Sequence, residues 1–146
     1  MSEATAQRQT VRLVSVYTTP NAYAVLYELL KERTKQQSIS FVSLPTMAEH
    51  INFVVKKPYE AWYLIEGGPR LHPYHVGAIY LTKLREVGVF IFRCHNGKGF
   101  GTAAFAALRE QHPGRILANV NPMNEPSLDF FRKHGGKVIQ HTFLLA

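Results

Sequence analysis

The residues Asn96-Gly97-Lys98-Gly99-Phe100-Gly101-Thr102 stand between an apolar run, Val87 to Phe92, and an alanine-rich stretch, Ala103 to Glu110. A strand that ends in a glycine-rich turn opening a helix is a device for holding phosphate. Glycines remove side chains so that successive backbone N–H groups can converge on an anion, and the helix dipole adds partial positive charge. The chemistry implied is recognition of a phosphorylated ligand.

Spacing narrows the ligand. A Walker loop needs Gly-x-x-x-x-Gly-Lys-Ser/Thr, whereas Lys98 precedes a glycine and no Ser or Thr follows it. A dinucleotide fingerprint needs Gly-x-Gly-x-x-Gly with an acidic residue about 20 positions on. Here the third glycine comes one position early, and position 121 is Asn. Neither nucleotide motif fits. Further along, Asn124-Glu125-Pro126-Ser127-Leu128-Asp129-Phe130-Phe131-Arg132-Lys133-His134-Gly135 sets an amide side chain at a helix start, then aromatics and a closing glycine.

Both stretches resemble signatures of the GNAT acetyltransferases. The first matches the pyrophosphate loop Gln/Arg-x-x-Gly-x-Gly/Ala, with Asn96 in place of Gln or Arg. The second matches the Asn, small residue, aromatic and glycine that follow the fifth strand. The resemblance covers residues 11–146 and implies an α/β fold: a mixed central sheet, splayed between its fourth and fifth strands, with helices on both faces. It also implies an acetyl-CoA-dependent N-acetyltransferase that acts on a primary amine by direct attack in a ternary complex.

The elements that must position these residues follow from patterning. Val11 to Tyr17 alternates as a strand. Thr19-Pro20 opens a helix over Ala22 to Gln36, ended by Gln36-Gln37-Ser38, and Thr46 to Glu49 is a capping box for a second helix reaching Val55. Strands are predicted at Ala61–Glu66, Val76–Thr82 and Glu86–Phe92, the last two joined by Lys83-Leu84-Arg85. A helix to Gln111, a strand over Arg115–Val120, a helix over Pro126–His134 and a closing strand over Lys137–Leu144 complete the order. The polar Met1 to Thr10 is a lead-in without an apolar signal segment.

At 146 residues and 46% hydrophobic, the chain has enough material for one core. No apolar run approaches the ~20 residues of a membrane span. The lone Cys94 excludes an internal disulfide and a CxxC metal motif, and a reducing cytoplasm is the natural setting. Seventeen Lys+Arg against ten Asp+Glu leave a net +7, which steers anionic partners toward the chain. No basic block or reader motif points to nucleic acid.

The resemblance assigns roles residue by residue. Main-chain amides of Ile91, Phe92 and Arg93 meet the pantetheine arm and polarise the acetyl carbonyl. Gly97, Gly99 and Gly101, with the amides of Lys98, Phe100 and Thr102, hold the pyrophosphate. Asn96 is shorter than the family's side chain at that position. Asn124 binds the cofactor arm or caps its helix. Glu86 is the expected general base, sharing a strand face with Gly88, Phe90 and Phe92, with His75, Tyr80 and His141 in reserve. Phe131 stands where relatives carry a tyrosine that meets the departing thiolate. The acceptor is expected over the first helices and Trp62–Tyr63, with an amino sugar or similar metabolite as its class. A protein lysine or N-terminal acetyltransferase and a non-catalytic CoA-binding module are the alternatives, and a homodimer is compatible with the family. Cys94 lacks an identified base and is set aside as a nucleophile.

Overall fold

The computed structural model describes residues 9–33 and 43–146. The elements run β1 Arg12–Ser15, α1 Ala22–Glu32, α2 Met47–Val55, β2 Ala61–Gly67, β3 Tyr74–Leu81, β4 Glu86–Ile91, α3 Phe100–Gln111, β5 Leu117–Ala118 and α4 Glu125–Lys133. They form one sheet in the order β1-β2-β3-β4-β5. The first four strands pair antiparallel, and β5 runs parallel to β4. The expected helix end at Gln36-Gln37-Ser38 lies outside the described residues.

Alternation along the strands makes two cores, one per sheet face. Ile65, Ile79, Leu81 and Val87 pack against Phe100, Ala104, Phe105 and Leu108 of α3. On the other face, Trp62, Leu64 and Ala78 meet Ala22, Leu26 and Leu29, the inward side of α1. The capping box of α2 forms as patterned. Glu49 N–H donates to Thr46 Oγ1 at 3.2 Å, and Thr46 N–H to Glu49 Oε1 at 2.8 Å. Among the described residues no helix is long and apolar enough to cross a membrane.

Two local devices shape the β4 side of the sheet. Register slips between Ile65 and Glu66, which oppose Gly77 and His75, so Val76 is an extra residue that bulges β3. Arg85, at φ 68°, ends the β3–β4 turn. Its guanidinium donates to the carbonyls of His112, Pro113 and Arg115 at 2.9–3.0 Å. Its own carbonyl accepts the Leu117 N–H at 2.8 Å. One side chain thus ties the loop after α3 to the hairpin and sets where β5 first meets β4.

The expected closing strand does not form. Residues 137–146 take no regular structure and are exposed along their whole length. The alternating pattern is present, but no described strand lies beside it, and a strand needs a partner to satisfy its backbone.

His50 is the one buried polar residue in the described core, 3% exposed, with Nε2–H donating to the Tyr23 carbonyl at 2.9 Å. Burial holds its pKa below the ordinary 6.5, partly offset by that bond. A base depressed in the fold contributes stability that is full above its unfolded value near 6.5 and lost as pH falls below it. Urea midpoints at pH 7.5 and 5.5 are therefore expected to fall further for the natural chain than for His50→Asn.

Candidate active site

The last two strands of the sheet separate. β4 and β5 pair only at Glu86–Leu117 and Val87–Ala118, so beyond Val87 the β5 side of β4 has no strand partner. Which groups face this gap follows from one hydrogen bond. The Phe92 N–H donates to the Val76 carbonyl at 2.9 Å, toward β3. Backbone groups alternate in direction along a strand, so Val89 and Ile91 turn theirs into the gap.

This corrects part of the expectation. Of Ile91, Phe92 and Arg93, only Ile91 presents its amide to the gap. That of Phe92 is spent on Val76, and the Arg93 N–H donates to Glu32 Oε1 at 2.9 Å. The Arg93 guanidinium also donates to the Glu32 carbonyl at 3.0 Å. Arg93 is thereby a strut joining the end of α1 to the turn. Val89 joins Ile91 instead. Its position was missed because direction depends on the β3–β4 register, which the hairpin fixes where the Glu86 carbonyl accepts the Thr82 N–H.

The glycine-rich turn follows a single 3-10 turn at Arg93–His95. Gly97 and Gly99 both adopt positive φ, 74° and 88°, a conformation that favours glycine. Gly99 is the N-cap of α3, and no side chain caps the helix. The first intrahelical bond runs from Ala103 N–H to the Gly99 carbonyl at 3.1 Å. The amides of Phe100, Gly101 and Thr102 therefore have no intrahelical acceptor, and they concentrate the positive end of the dipole. Lys98 and Asn96 are exposed beside them.

Anchors hold the turn in place. Phe100, 3% exposed, meets Tyr74 and His95 edge-on at 6.5 and 5.7 Å, while those two rings stack at 5.4 Å. Gly101 serves packing: a Cβ there would sit 3.3 Å from Phe130 Cε1, so its absence lets α4 close on the first turn of α3. Phe131 lies edge-on to Phe105 at 5.9 Å and Phe130 at 5.0 Å, with no hydroxyl at either α4 position. Asn124 caps α4, its Oδ1 accepting the Ser127 N–H at 3.3 Å. Its NH2 group remains available for donation.

On the α1–α2 face an aromatic slot forms. Tyr59 and Tyr80 stack at 4.0 Å, Trp62 stands edge-on to Tyr59 at 4.7 Å, and the Arg33 guanidinium covers Phe90 at 4.4 Å. A cavity of about 80 Å³ lies among these side chains, with Phe53 and His50 also lining it. Burial pushes the Tyr80 phenol up, and the Glu86 charge adds to this against Arg33 and a Tyr59 hydrogen bond. Tyr59 moves up as well, chiefly by burial. Both hydroxyls stay protonated at neutral pH. Glu86 is half-buried at the start of β4, and its charge makes the smallest of the contributions to the Tyr80 phenol. Of the reserves, Tyr80 is in the slot, His75 stands opposite Glu66 in the β2–β3 ladder, and His141 is exposed outside any strand.

No family model and no curated protein matches the sequence. Solved structures do match it in shape. A domain from Methanocaldococcus jannaschii DSM 2661 superposes with a TM-score of 0.76, at 15% identity over 92% of each chain. An acetyltransferase of Trypanosoma brucei superposes with a TM-score of 0.57, at 18% identity over 93% of this chain and 97% of that one. The chain shares with these structures a mixed α/β fold, in which its β4 and β5 part after Val87.

Proposed function

We propose that this chain is a GNAT N-acetyltransferase that moves an acetyl group from acetyl-CoA to a primary amine of a small molecule, an amino sugar or similar metabolite, by direct attack. The observation that carries this is the uncapped α3 N-terminus beside the gap where β4 and β5 part. A phosphate needs the amides of Phe100, Gly101 and Thr102. A carbonyl in the gap needs donors such as those of Val89 and Ile91. The residues present suit both ends of a phosphorylated thioester. Acetyl-CoA, when bound, supplies an activated acyl carbon. Glu86 takes the proton from the incoming amine, directly or through water. The acceptor lies in the aromatic slot of Tyr59, Trp62 and Tyr80.

Calorimetric titration with acetyl-CoA tests the grip, and thiol release across a panel of amines tests the transfer. Absence of heat at millimolar ligand removes the proposal. Phe130 and Phe131, lacking a hydroxyl for the departing thiolate, favour a second reading, a CoA-binding regulatory module. Heat on titration with no thiol release from any amine selects it.

Gly97→Asp separates the cradle from the fold. An ideal Cβ at Gly97 meets nothing within 4 Å, and Asp tolerates the left-handed region better than most residues. Its carboxylate suits a helix start but repels a pyrophosphate. Acetyl-CoA affinity is expected to fall about tenfold, ~1.4 kcal/mol, with the thermal midpoint held.

A further inference from the structure

One charge in the slot on the α1–α2 face has no part in moving the acetyl group. It is the guanidinium of Arg33, the residue that closes α1, lying over the Phe90 ring at 4.4 Å. Among the described residues that line the slot, Arg33 alone is charged at neutral pH. Tyr59 and Tyr80 keep their protons, and burial holds His50 below 6.5. The other lining side chains are hydrocarbon or the Trp62 indole. Burial opposes the Arg33 charge too, against the two phenols, but a guanidinium keeps its proton in proteins.

The backbone before it aims this guanidinium. Glu32 is clamped to the turn after β4: its Oε1 accepts the Arg93 N–H at 2.9 Å, and its carbonyl accepts the Arg93 guanidinium at 3.0 Å. The Arg33 N–H donates to the Leu30 carbonyl at 3.2 Å. These bonds fix the stretch from which the Arg33 side chain reaches over Phe90. Phe90 sits in β4 between Val89 and Ile91, the residues whose amides turn into the gap. The cation therefore stands beside the place where an acyl carbonyl would lie. Glu86 is four residues back on the same face, about 13 Å along the strand, so an anion held by Arg33 leaves the base unoccupied.

We infer that the slot takes a small amine that also carries a carboxylate, and that Arg33 selects this ligand by holding the carboxylate. The role of that ligand as acceptor rests on the acetyl-transfer reading, which this narrows. Charge argues for a carboxylate. One cation in a lining otherwise neutral balances a single negative charge, whereas a phosphate dianion would bury a second one unpaired. Shape argues the same way. The guanidinium fork matches a planar carboxylate with two parallel hydrogen bonds, and about 80 Å³ among stacked rings admits a flat group sooner than a bulky one. Tyr59, Trp62 and Tyr80 cover a short apolar spacer between the two ends. A small amino acid has this form.

Trp62, the chain's only tryptophan, lines the slot and reports its occupancy by fluorescence without any turnover. β-Alanine and phenylalanine are titrated against their amides on the full chain, with phosphoethanolamine as the phosphate arm. Thiol release from acetyl-CoA is followed alongside. The acids are expected to shift the Trp62 emission at about ten- to hundredfold lower concentration than the amides, the gain from hydrogen bonds to a charged group. Arg33→Met is expected to erase that difference and Arg33→Lys to weaken it, with acetyl-CoA affinity unchanged in both. Equal response to acids and amides, or none, overturns the inference. A preference that Arg33→Met leaves standing, or a tighter response to phosphoethanolamine, overturns it as well. Acids that bind in this way without thiol release support the carboxylate site and remove the transfer reading. Thiol release with neutral amines alone overturns the inference and keeps the transfer. Should Arg33→Met not fold, Arg33→Lys and the acid-to-amide ratio of the natural chain decide.

Discussion

Glu86→Gln is expected to reduce thiol release from acetyl-CoA by about 10²–10⁴-fold, the usual contribution of a positioned general base, while acetyl-CoA binds as before. The side chain stands at the first residue of β4 on the same face as Tyr80 and Phe90, opposite the face that packs on α3. Its charge adds a small upward push to the Tyr80 phenol, after burial and against Arg33 and Tyr59. Its neighbours in the slot cannot take its place at neutral pH, because burial keeps the phenols of Tyr59 and Tyr80 protonated. Elsewhere, Glu32 is engaged by the Arg93 N–H and Glu66 by Arg12 at 2.9 Å. The backbone of Glu86 is tied independently of its carboxylate. Its N–H donates to Thr82 Oγ1 at 3.0 Å, and its carbonyl accepts the Thr82 N–H at 2.8 Å. Gln therefore keeps the hairpin and loses only the acceptor of the proton. Turnover within threefold of the natural chain would move the base elsewhere.

What was legible in the sequence was local. The turn at 96–102 and the cap at Asn124 are set by neighbours a few positions away, through positive φ, missing side chains and a side-chain oxygen in reach of Ser127. Strand alternation put Glu86 with Gly88, Phe90 and Phe92, and that face is the one observed. Direction of the backbone groups was not legible. It hinges on the β3–β4 register, Gly77 opposite Ile91 through Leu81 opposite Val87, and no feature of residues 91–93 records which residues of β3 they face. The aromatic slot was half visible. Trp62 could be placed on its strand, but Phe53, Tyr59, Tyr80 and Phe90 arrive from α2, the loop before β2, β3 and β4, and only the packed sheet brings them together. The segment 137–144 shows the opposite case: the pattern reads as a strand, but pairing is a property of two segments, and the second is missing beside it.

Gly77→Ala is expected to destabilise the fold by about 3 kcal/mol, the upper end for overpacking, read as a lower urea midpoint at unchanged slope. Gly77 stands opposite Ile91 in the β3–β4 ladder, directly after the bulge. A Cβ built there would lie 2.1 Å from the Phe90 carbonyl oxygen and 2.9 Å from Ile91 Cα. Both are backbone atoms, which cannot swing away as a side chain does. Gly88→Ala provides the contrast. Its Cβ would come 2.3 Å from Tyr80 Cζ, but that ring can rotate out of the slot, so acceptor turnover should suffer more than stability. At Gly77 the strands themselves must part, and the part that moves carries the Ile91 amide. If the variant folds, its affinity for acetyl-CoA should fall with its stability, because pushing β4 away at Phe90 and Ile91 displaces the Ile91 amide that faces the gap. A loss under 1 kcal/mol with affinity intact would mean that β3 does not set the direction of those amides.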